Sequence, residues 1–228
     1  MPRQRTDQLR VAIDTGGTFT DCVWVERGEI RMLKVFSTPA DPSQAIVEAL
    51  GRIGRPASLT LLHGTTVGTN TLLQRKGARV ALVTTAGFED AIEIGRQARP
   101  RLYDFFFDRV APLVPADLRF GVQERVDSEG KVLEAPSPEE LRSLVEKVRS
   151  ARPEAIAISL LFSFANPEHE RTLASALGGL GPLSVSHQIL PEFREYERTS
   201  TVVMNAYLQP IVQRYLENLE RSPAYSMT

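Results

Sequence analysis

Apolar and polar residues alternate through Leu9–Asp14, with Leu9, Val11 and Ile13 on one side, the period of a half-buried strand. Phe19–Glu26 and Glu29–Phe36 read as two further strands, and Arg27-Gly28 between them predicts the tight turn of an antiparallel hairpin. At Asp41 the period changes to that of a helix. Ile46, Ala49, Leu50 and Ile53 fall on one face; Asp41 and Gln44 have capping-box spacing, Pro42 suits the first helical position, and Gly54 with Pro56 ends the run. Leu59–His63 predicts a short strand leading into Gly64-Thr65-Thr66, then a helix from about Val67 to Arg75 stopped by Gly77. Arg79–Thr85 is almost continuously apolar at its centre, as a strand covered on both faces would be, and Gly87–Ile94 predicts a short helix.

The pattern fades from Gly95 to Val126, where Pro100, Pro112 and Pro115 punctuate the chain and Phe105, Phe106 and Phe107 stand together. A segment of that kind predicts an insertion packing as a flap or small subdomain. Arg96, Arg99 and Arg101 within it either face an anionic ligand or serve as surface charge. Regular periods then return. Ser137-Pro138-Glu139-Glu140 opens a helix with a capping box and a stripe of Leu141, Leu144, Val145 and Val148. Ala155–Phe162 reads as a buried strand, Asn166-Pro167 opens a helix to about Leu177, and Leu183–His187 reads as a last short strand. A helix from about Thr199 carries a stripe of Val203, Tyr207, Ile211, Tyr215 and Leu219, with Pro210 expected to kink it. Three strands followed by strand–helix alternation predict an α/β protein with a mixed sheet flanked by helices.

Composition narrows the function classes. Of 228 residues, 42% are hydrophobic and 24% charged, as in an ordinary globular protein. A net charge of -1 gives no basic footprint for nucleic acid. The single cysteine, Cys22, has no partner for an internal disulfide and reads as a packing residue of the second strand, which suits a reducing compartment. The basic start (Arg3, Arg5, Arg10) is not followed by an apolar core of signal-peptide length, and no apolar run is long enough to span a bilayer. These features predict a cytoplasmic protein without a membrane or nucleic-acid partner.

The chemistry concentrates in Asp14-Thr15-Gly16-Gly17-Thr18-Phe19-Thr20-Asp21, where one strand turns into the next. Gly16 and Gly17 let backbone N–H groups come close to an anion, and Thr15, Thr18 and Thr20 add hydroxyl donors. Asp14 and Asp21 can hold a hard cation through water beside that anion. A phosphate next to a divalent metal points to a nucleotide; the alternative is a tight hairpin with a capping carboxylate. The segment is not a Walker A loop, because no lysine follows the glycines, nor a dinucleotide fingerprint, because a strand follows rather than a helix. His63-Gly64-Thr65-Thr66 stands where a strand gives way to a helix, a position whose free N–H groups attract anions. Thr65 and Thr66 can hydrogen-bond a phosphate or a substrate carbonyl, with Asn70 one turn on. His63 is either a general acid/base or metal ligand, or a histidine that shapes the loop. No second His or Cys stands at zinc-ligand spacing, and His169 and His187 read as surface and strand-end residues.

Three segments, Asp14–Asp21 (DTGGTFTD), His63–Asn70 (HGTTVGTN) and Glu195–Leu208 (EYERTSTVVMNAYL), together resemble the hydantoinase A/5-oxoprolinase family. Arg96-Gln97, Leu102-Tyr103-Asp104 and Glu124-Arg125-Val126-Asp127 are also similar to it, so the likeness covers nearly the whole chain. The resemblance implies the first lobe of an actin-like ATPase, built on a ribonuclease-H-like mixed sheet and carrying an irregular insertion at about 95–127. On that analogy the lobe occupies 1–190, and 191–228 is a linking helix with the start of a second lobe. Asp14 would be the metal-side carboxylate and Asp21 would support the turn on the metal side. Thr15, Gly16, Gly17, Thr18 and Thr20, with Gly64 and Asn70, would bind nucleotide; His63, Thr65 and Thr66 would join Asp14 in catalysis.

The activity implied by the resemblance is ATP- and Mg2+-dependent phosphorylation of a carbonyl oxygen in a cyclic amide, a hydantoin or 5-oxoproline-like lactam, which water then opens. Positioning and charge stabilisation would carry that step. A carboxylase of ketones or a small-molecule kinase is a second reading on the same fold, and a non-catalytic scaffold lobe a third. A second subunit of the hydantoinase B type is the implied partner. Family members are much longer, so the chain is expected to be a fragment or to receive its second lobe from another polypeptide, and to turn over little alone. Substrate choice is expected to lie in Gly95–Val126 and in that lobe.

Overall fold

A computed structural model describes residues 8–38, 41–54, 58–97, 103, 106 and 110–221. The chain begins with β1 (Gln8–Thr15), β2 (Phe19–Glu26), β3 (Glu29–Phe36), α1 (Ser43–Ile53), β4 (Ser58–Thr65) and α2 (Val67–Gln74). It continues with β5 (Val80–Thr85), α3 (Ala91–Ile94), β6 (Arg119–Val122), β7 (Arg125–Val126) and β8 (Val132–Glu134). The last elements are α4 (Pro138–Ala151), β9 (Ala155–Ser159), α5 (Glu168–Leu177), β10 (Leu183–Val185), α6 (Ser186–Ile189) and α7 (Glu195–Glu220). They form two compact units, one of residues 1–76 with 211–228 and one of residues 77–210.

The first unit is a four-stranded sheet in the order β3-β2-β1-β4. β1 pairs antiparallel with β2 and parallel with β4 along all eight of its residues, Gln8 to Thr15 against Ser58 to Thr65. Strand alternation turns Val11, Ile13, Cys22 and Val35 inward, where they pack with Ala45, Ile46, Ala49 and Leu50 of α1 and with Tyr215 and Leu219 of α7. Cys22 is fully buried there, and burial, helped by the charge of Asp21, pushes its thiol up to about 11. It is a packing residue, as its place on the strand predicts. Asp41 starts α1 differently from a capping box: its Oδ1 accepts from Ser43 N at 3.1 Å and from Ser43 Oγ at 2.5 Å.

The second unit holds a parallel sheet in the order β10-β9-β5-β6. All six residues of β5 and all five of β9 are buried. One face, with Ala81, Val83, Ile156 and Ile158, packs on Leu144 and Val148 of α4 and on Leu173 and Leu177 of α5. On the other, Ser159 Oγ bonds Thr199 Oγ1 at 2.8 Å and Asn205 Nδ2 donates to Ser184 Oγ at 2.8 Å, which fixes the first part of α7. The Ser137/Glu140 capping box of α4 forms as the sequence predicts, and α5 ends at Leu177.

Four sequence expectations change. The strand at Arg79–Thr85 centres a sheet of its own instead of extending the first one. The stretch expected to be irregular from Gly95 to Val126 contains β6, an edge strand parallel to β5. Strand β9 stops at Ser159, and the chain after Val185 coils into α6, where a strand was expected to reach His187. Helix α7 starts four residues before Thr199 and holds Pro210 in its interior. Pro56, Arg99, Pro100, Arg101, Leu102, Asp104, Phe105 and Phe107 lie outside the described residues.

Gly77 enters the second unit against the ring of Tyr207: a Cβ there would sit 2.0 Å from Tyr207 Cε1. Gly51, exposed on α1, has nothing within 4 Å of a Cβ. Gly77→Ala should therefore lower unfolding free energy by about 3 kcal/mol through overpacking. Gly51→Ala should raise it by up to about 1 kcal/mol through helix propensity. Urea unfolding of both variants checks the pair.

Candidate functional site

The β1 register sorts the glycine-threonine turn into two rows on opposite faces of the sheet. Asp14 pairs with Asp21 on β2 and with Gly64 on β4, and Asp21 pairs in turn with Lys34 on β3. One position along, Thr15 pairs with Thr20 and with Thr65. Because successive side chains alternate, the acids occupy the face away from the core and the hydroxyls the face toward it. Lys34 Nζ lies 2.9 Å from Asp21 Oδ1. Asp14 has no ion-pair partner among the described residues, and its Oδ1 would lie 3.3 Å from a Cβ on Gly64, so the glycine makes room for the carboxylate.

Between the rows lies the bend Gly16-Gly17-Thr18. Gly16 N donates to Phe19 O at 3.0 Å, and Thr18 O accepts from Ser37 N at 2.9 Å. The Gly16 amide is thus consumed by the hairpin, leaving Gly17 and Thr18 N–H without a partner among the described residues. Ser37 Oγ braces the bend by donating to Gly16 O at 2.8 Å and bonding Thr20 Oγ1 at 3.0 Å. The second motif is tied to it: Thr66 N reaches Thr15 O at 3.3 Å, and Asn70 Nδ2 donates to Thr66 Oγ1 at 3.1 Å. Val67 N, the first helical amide of α2, is satisfied by Thr65 Oγ1 at 3.2 Å.

A cleft of about 430 Å³ opens beside this bend, inside the first unit. Thr15, Gly16 and Gly17 form one wall, α2 contributes Asn70, and α7 contributes Arg214 and Tyr215. Neither Asp14 nor His63 lines it. His63 sits one row further in, half-buried, with Nε2 bonded to the Tyr215 hydroxyl. Desolvation holds its pKa below the usual 6.5, against the opposing pull of the Ile13 carbonyl and the Asp14 charge. Burial likewise raises the Tyr215 phenol above its ordinary value, opposed by the Thr65 and Thr15 hydroxyls. Tyr215 was legible in the sequence only as one position of an apolar helix stripe. Its polar end is the part of the site that reading misses.

The other two histidines are not surface or strand-end residues. His169 is 7% exposed, and its Nδ1 lies 2.7 Å from Glu124 Oε2, whose other oxygen accepts from Thr85 Oγ1. His187 stands on α6, with Nδ1 and N at 2.7 and 3.0 Å from Glu170 Oε2; Glu170 Oε1 accepts from Leu160 N and Ser186 Oγ. These pairs close the carboxyl end of the second sheet. Arg96 forms a two-pronged pair with Glu197 at 2.7 and 2.8 Å, an exposed contact that accounts for its charge. Among the described residues no group of three His, Cys, Asp or Glu is placed to hold a metal, and no helix is long and apolar enough to cross a membrane.

Residues 10–179 match the family described as the hydantoinase/oxoprolinase N-terminal region, and the chain belongs to that family. An uncharacterized protein of Methanocaldococcus jannaschii is 41% identical over 92% of this chain and 32% of its own length. The caprolactamase subunit alpha of Pseudomonas jessenii is 36% identical over 93% of this chain and 33% of its own. The crystal structure of the ATP-dependent caprolactamase from that organism superposes with a TM-score of 0.82 at 35% identity, over 92% of this chain and 33% of the other. A nucleotide-free acetone carboxylase, solved for the mechanism of ATP-dependent acetone carboxylation, gives 0.81 at 28% identity over the same shares. The α/β fold is thus that of an actin-like ATPase first lobe, and the chain spans about a third of the length of these relatives.

With its folded pKa depressed, His63 takes up a proton at lower pH than it does in the unfolded chain. Between 6.5 and the folded pKa the unfolded state binds more protons, so stability rises with pH. The contribution is complete above 6.5 and lost as pH falls through the folded value. An NMR titration should place the His63 midpoint below 6.5. Unfolding of His63→Gln should lose less stability on acidification than the parent chain; equal losses would contradict the assignment.

Proposed function

We propose that this chain is the N-terminal part of an ATP-dependent cyclic-amide hydrolase of the hydantoinase/5-oxoprolinase type. The observation that carries the reading is the pair of unpartnered amides at Gly17 and Thr18, held at the end of β1 between a carboxylate row and a hydroxyl row. Successive free N–H groups in a braced bend suit the oxygens of a polyphosphate. Gly68 and Thr69, in the first turn of α2, have no intrahelical acceptors for their N–H groups either. ATP would be held by Gly17, Thr18 and the Thr15 row, with Gly64 and Asn70 keeping the second loop against the bend.

Mg2+ fits only in part. With Asp21 paired to Lys34, Asp14 is the carboxylate left to meet an ion carried by the phosphates, through water. A protein-only cage is not the design. When bound, the ion would supply charge neutralisation on the phosphates. The chain's own donors would orient the γ-phosphoryl group toward a carbonyl oxygen of the acceptor. The transfer would break the phosphoryl group's bond to ADP and turn the carbonyl into an electrophilic, imidate-type carbon; water adding there would break the ring C–N bond, and a second water would release the phosphate. Among the catalytic candidates, Thr66 braces the Thr15 carbonyl, while His63 and Thr65 lie beneath the bend. Their part would be to fix the bend rather than to shuttle a proton to substrate.

A ketone carboxylase is the second reading, supported by the match to acetone carboxylase over nearly the whole chain. Both readings place the protein in the cytoplasm with a partner subunit of the hydantoinase B type, in keeping with a relative that is itself a subunit alpha. Substrate choice would then rest on residues 95–127 and on the remaining two thirds of the longer proteins.

Adding Mg·ADP to the chain should move the Gly17 and Thr18 amide resonances. Asp14→Ala should weaken that binding about tenfold or more, the equivalent of ~1.4 kcal/mol. Unmoved resonances at saturating nucleotide would refute the phosphate bend. ADP release stimulated by 5-oxoproline or a hydantoin supports the hydrolase; stimulation by a ketone with bicarbonate supports the carboxylase. No stimulation, with tight subunit binding, supports a scaffold lobe.

A further inference from the structure

The cleft beside the bend is lined by two cations, Arg214 and Lys76, and by one carboxylate, Asp41. All three belong to the first unit. Helix α7 faces the cleft with Ile211, Arg214, Tyr215 and Asn218, whose spacing of three and four puts them on one side of the helix. Lys76 stands just past the end of α2, where its N–H bonds the Thr71 carbonyl at 3.1 Å. Neither cation has an ion-pair partner among the described residues; Glu217, one turn beyond Arg214, is taken by Arg221 and Gln213 instead. Asp41 is already engaged, with Oδ1 accepting from Ser43 and Oδ2 lying 3.5 Å from Asn218 Nδ2.

A separate observation points to a ligand in the same place. Thr15 is 2% exposed and lines the cleft, yet its Oγ1 has no hydrogen-bond partner. A buried hydroxyl left unpaired costs stability that an acceptor atom reaching it would restore. Val67 and Ile211 stand among these polar groups, so the lining suits a small molecule with an apolar body and a negatively charged end. On the nucleotide reading, the metal-bearing end of the phosphates lies on the Asp14 side of the bend. Asp14 does not line the cleft, because it occupies the opposite face of the sheet from Thr15. The cleft therefore stands across the bend from the metal, where an acceptor would approach. A lactam with a ring carboxylate has the two ends required: a carbonyl for the bend, and a carboxylate that a guanidinium binds with its fork. A neutral lactam or a ketone offers the two cations nothing.

We propose that this cleft is the acceptor subsite, and that Arg214, aided by Lys76, selects a cyclic amide bearing a carboxylate, of the 5-oxoproline class, over neutral lactams and ketones. The assignment deepens the proposed function and rests on it for the direction in which the acceptor's carbonyl points. The selection by charge does not depend on that reading. It puts part of the substrate choice in the first unit. Both cations are exposed, so replacing them leaves the core of that unit intact.

The test titrates two probes that share one ring, 5-oxoproline and 2-pyrrolidinone, into the chain with and without Mg·ADP. The carboxylate probe should move the Arg214 Nε–H and Lys76 amide resonances and bind about tenfold more tightly than the neutral one. Arg214→Gln should remove most of that preference and Lys76→Gln about threefold of it, each leaving the affinities for 2-pyrrolidinone and Mg·ADP near parent values. Arg221→Gln, which removes a cation of the same chain segment that does not line the cleft, should change neither probe. Equal affinity for the two probes in the parent chain overturns the proposal. An equal loss in Arg221→Gln reduces the effect to general surface charge and also overturns it. So does an Arg214→Gln variant that weakens Mg·ADP in place of 5-oxoproline, which assigns the guanidinium to the phosphates. A chain whose bend answers Mg·ADP but whose cleft ignores 5-oxoproline keeps the nucleotide reading and loses the subsite. A chain that selects 5-oxoproline through Arg214 while its bend ignores Mg·ADP keeps the charge selection and loses the nucleotide reading.

Discussion

Everything at the candidate site depends on the parallel pairing of β1 with β4 over their full eight residues. That register places Gly64 beside Asp14 and Thr65 beside Thr15. Slipping it by one residue would exchange the faces, sending His63 outward and Gly64 into the core. The slip is opposed by burial. Val11 and Ile13 are at most 2% exposed and must stay against α1, so the inward set on β1 is fixed. The chemistry at the strand ends inherits its geometry from hydrophobic residues further down the same strands.

Much of this framework was readable because it rests on short-range patterns. The antiparallel hairpin follows from two alternating runs around Arg27-Gly28, whose φ values of 52° and 83° show why a turn-forming pair stands there. The α4 boundary follows from Ser137 and Glu140. Strand β6 was not readable because its first residue is a buried arginine. Arg119 is 8% exposed, and its guanidinium is satisfied by Asp90, Glu93 and the Val114 carbonyl, none of which neighbours it in sequence. Tertiary partners there outweighed the residue's preference for solvent. The division of the strands between two sheets was unreadable for a related reason. A buried parallel strand such as β5 has the same continuous apolar signature whichever sheet it joins.

The site was legible in its residues and illegible in its directions. The sequence brings acids, glycines and threonines into one turn, and the structure keeps them in one place. Only the strand period decides that Asp14 and Asp21 look one way while Thr15 and Thr20 look the other. Lys34, which neutralises Asp21, comes from a strand thirteen residues further on and shows no motif of its own. Tyr215 was hidden by its own apolar ring. A helix stripe records which residues face the core, and says nothing of what a hydroxyl at the end of one of them touches.

Polar burial separates scaffold from site in this chain. In the second unit Glu124 and Glu170 are each at most 1% exposed, yet both oxygens of each carboxylate are bonded. Such closed networks stiffen the ends of β5, β9 and β10 and leave nothing for a ligand to take up. Arg198 belongs with them in greater part, its two terminal nitrogens held by the Glu192 and Leu160 carbonyls while Nε stays unbonded. In the first unit the balance is reversed. Gly17 and Thr18 amides, the Thr15 hydroxyl and His63 Nδ1 are left open within one turn of backbone and the strand beside it. Unsatisfied polar groups cost stability wherever they are buried. Of these, the Thr15 hydroxyl and His63 Nδ1 are buried and carry that cost, while the Gly17 and Thr18 amides belong to exposed residues that water can meet, so the first unit sets a costly pair of unpaired atoms beside a bend open to solvent.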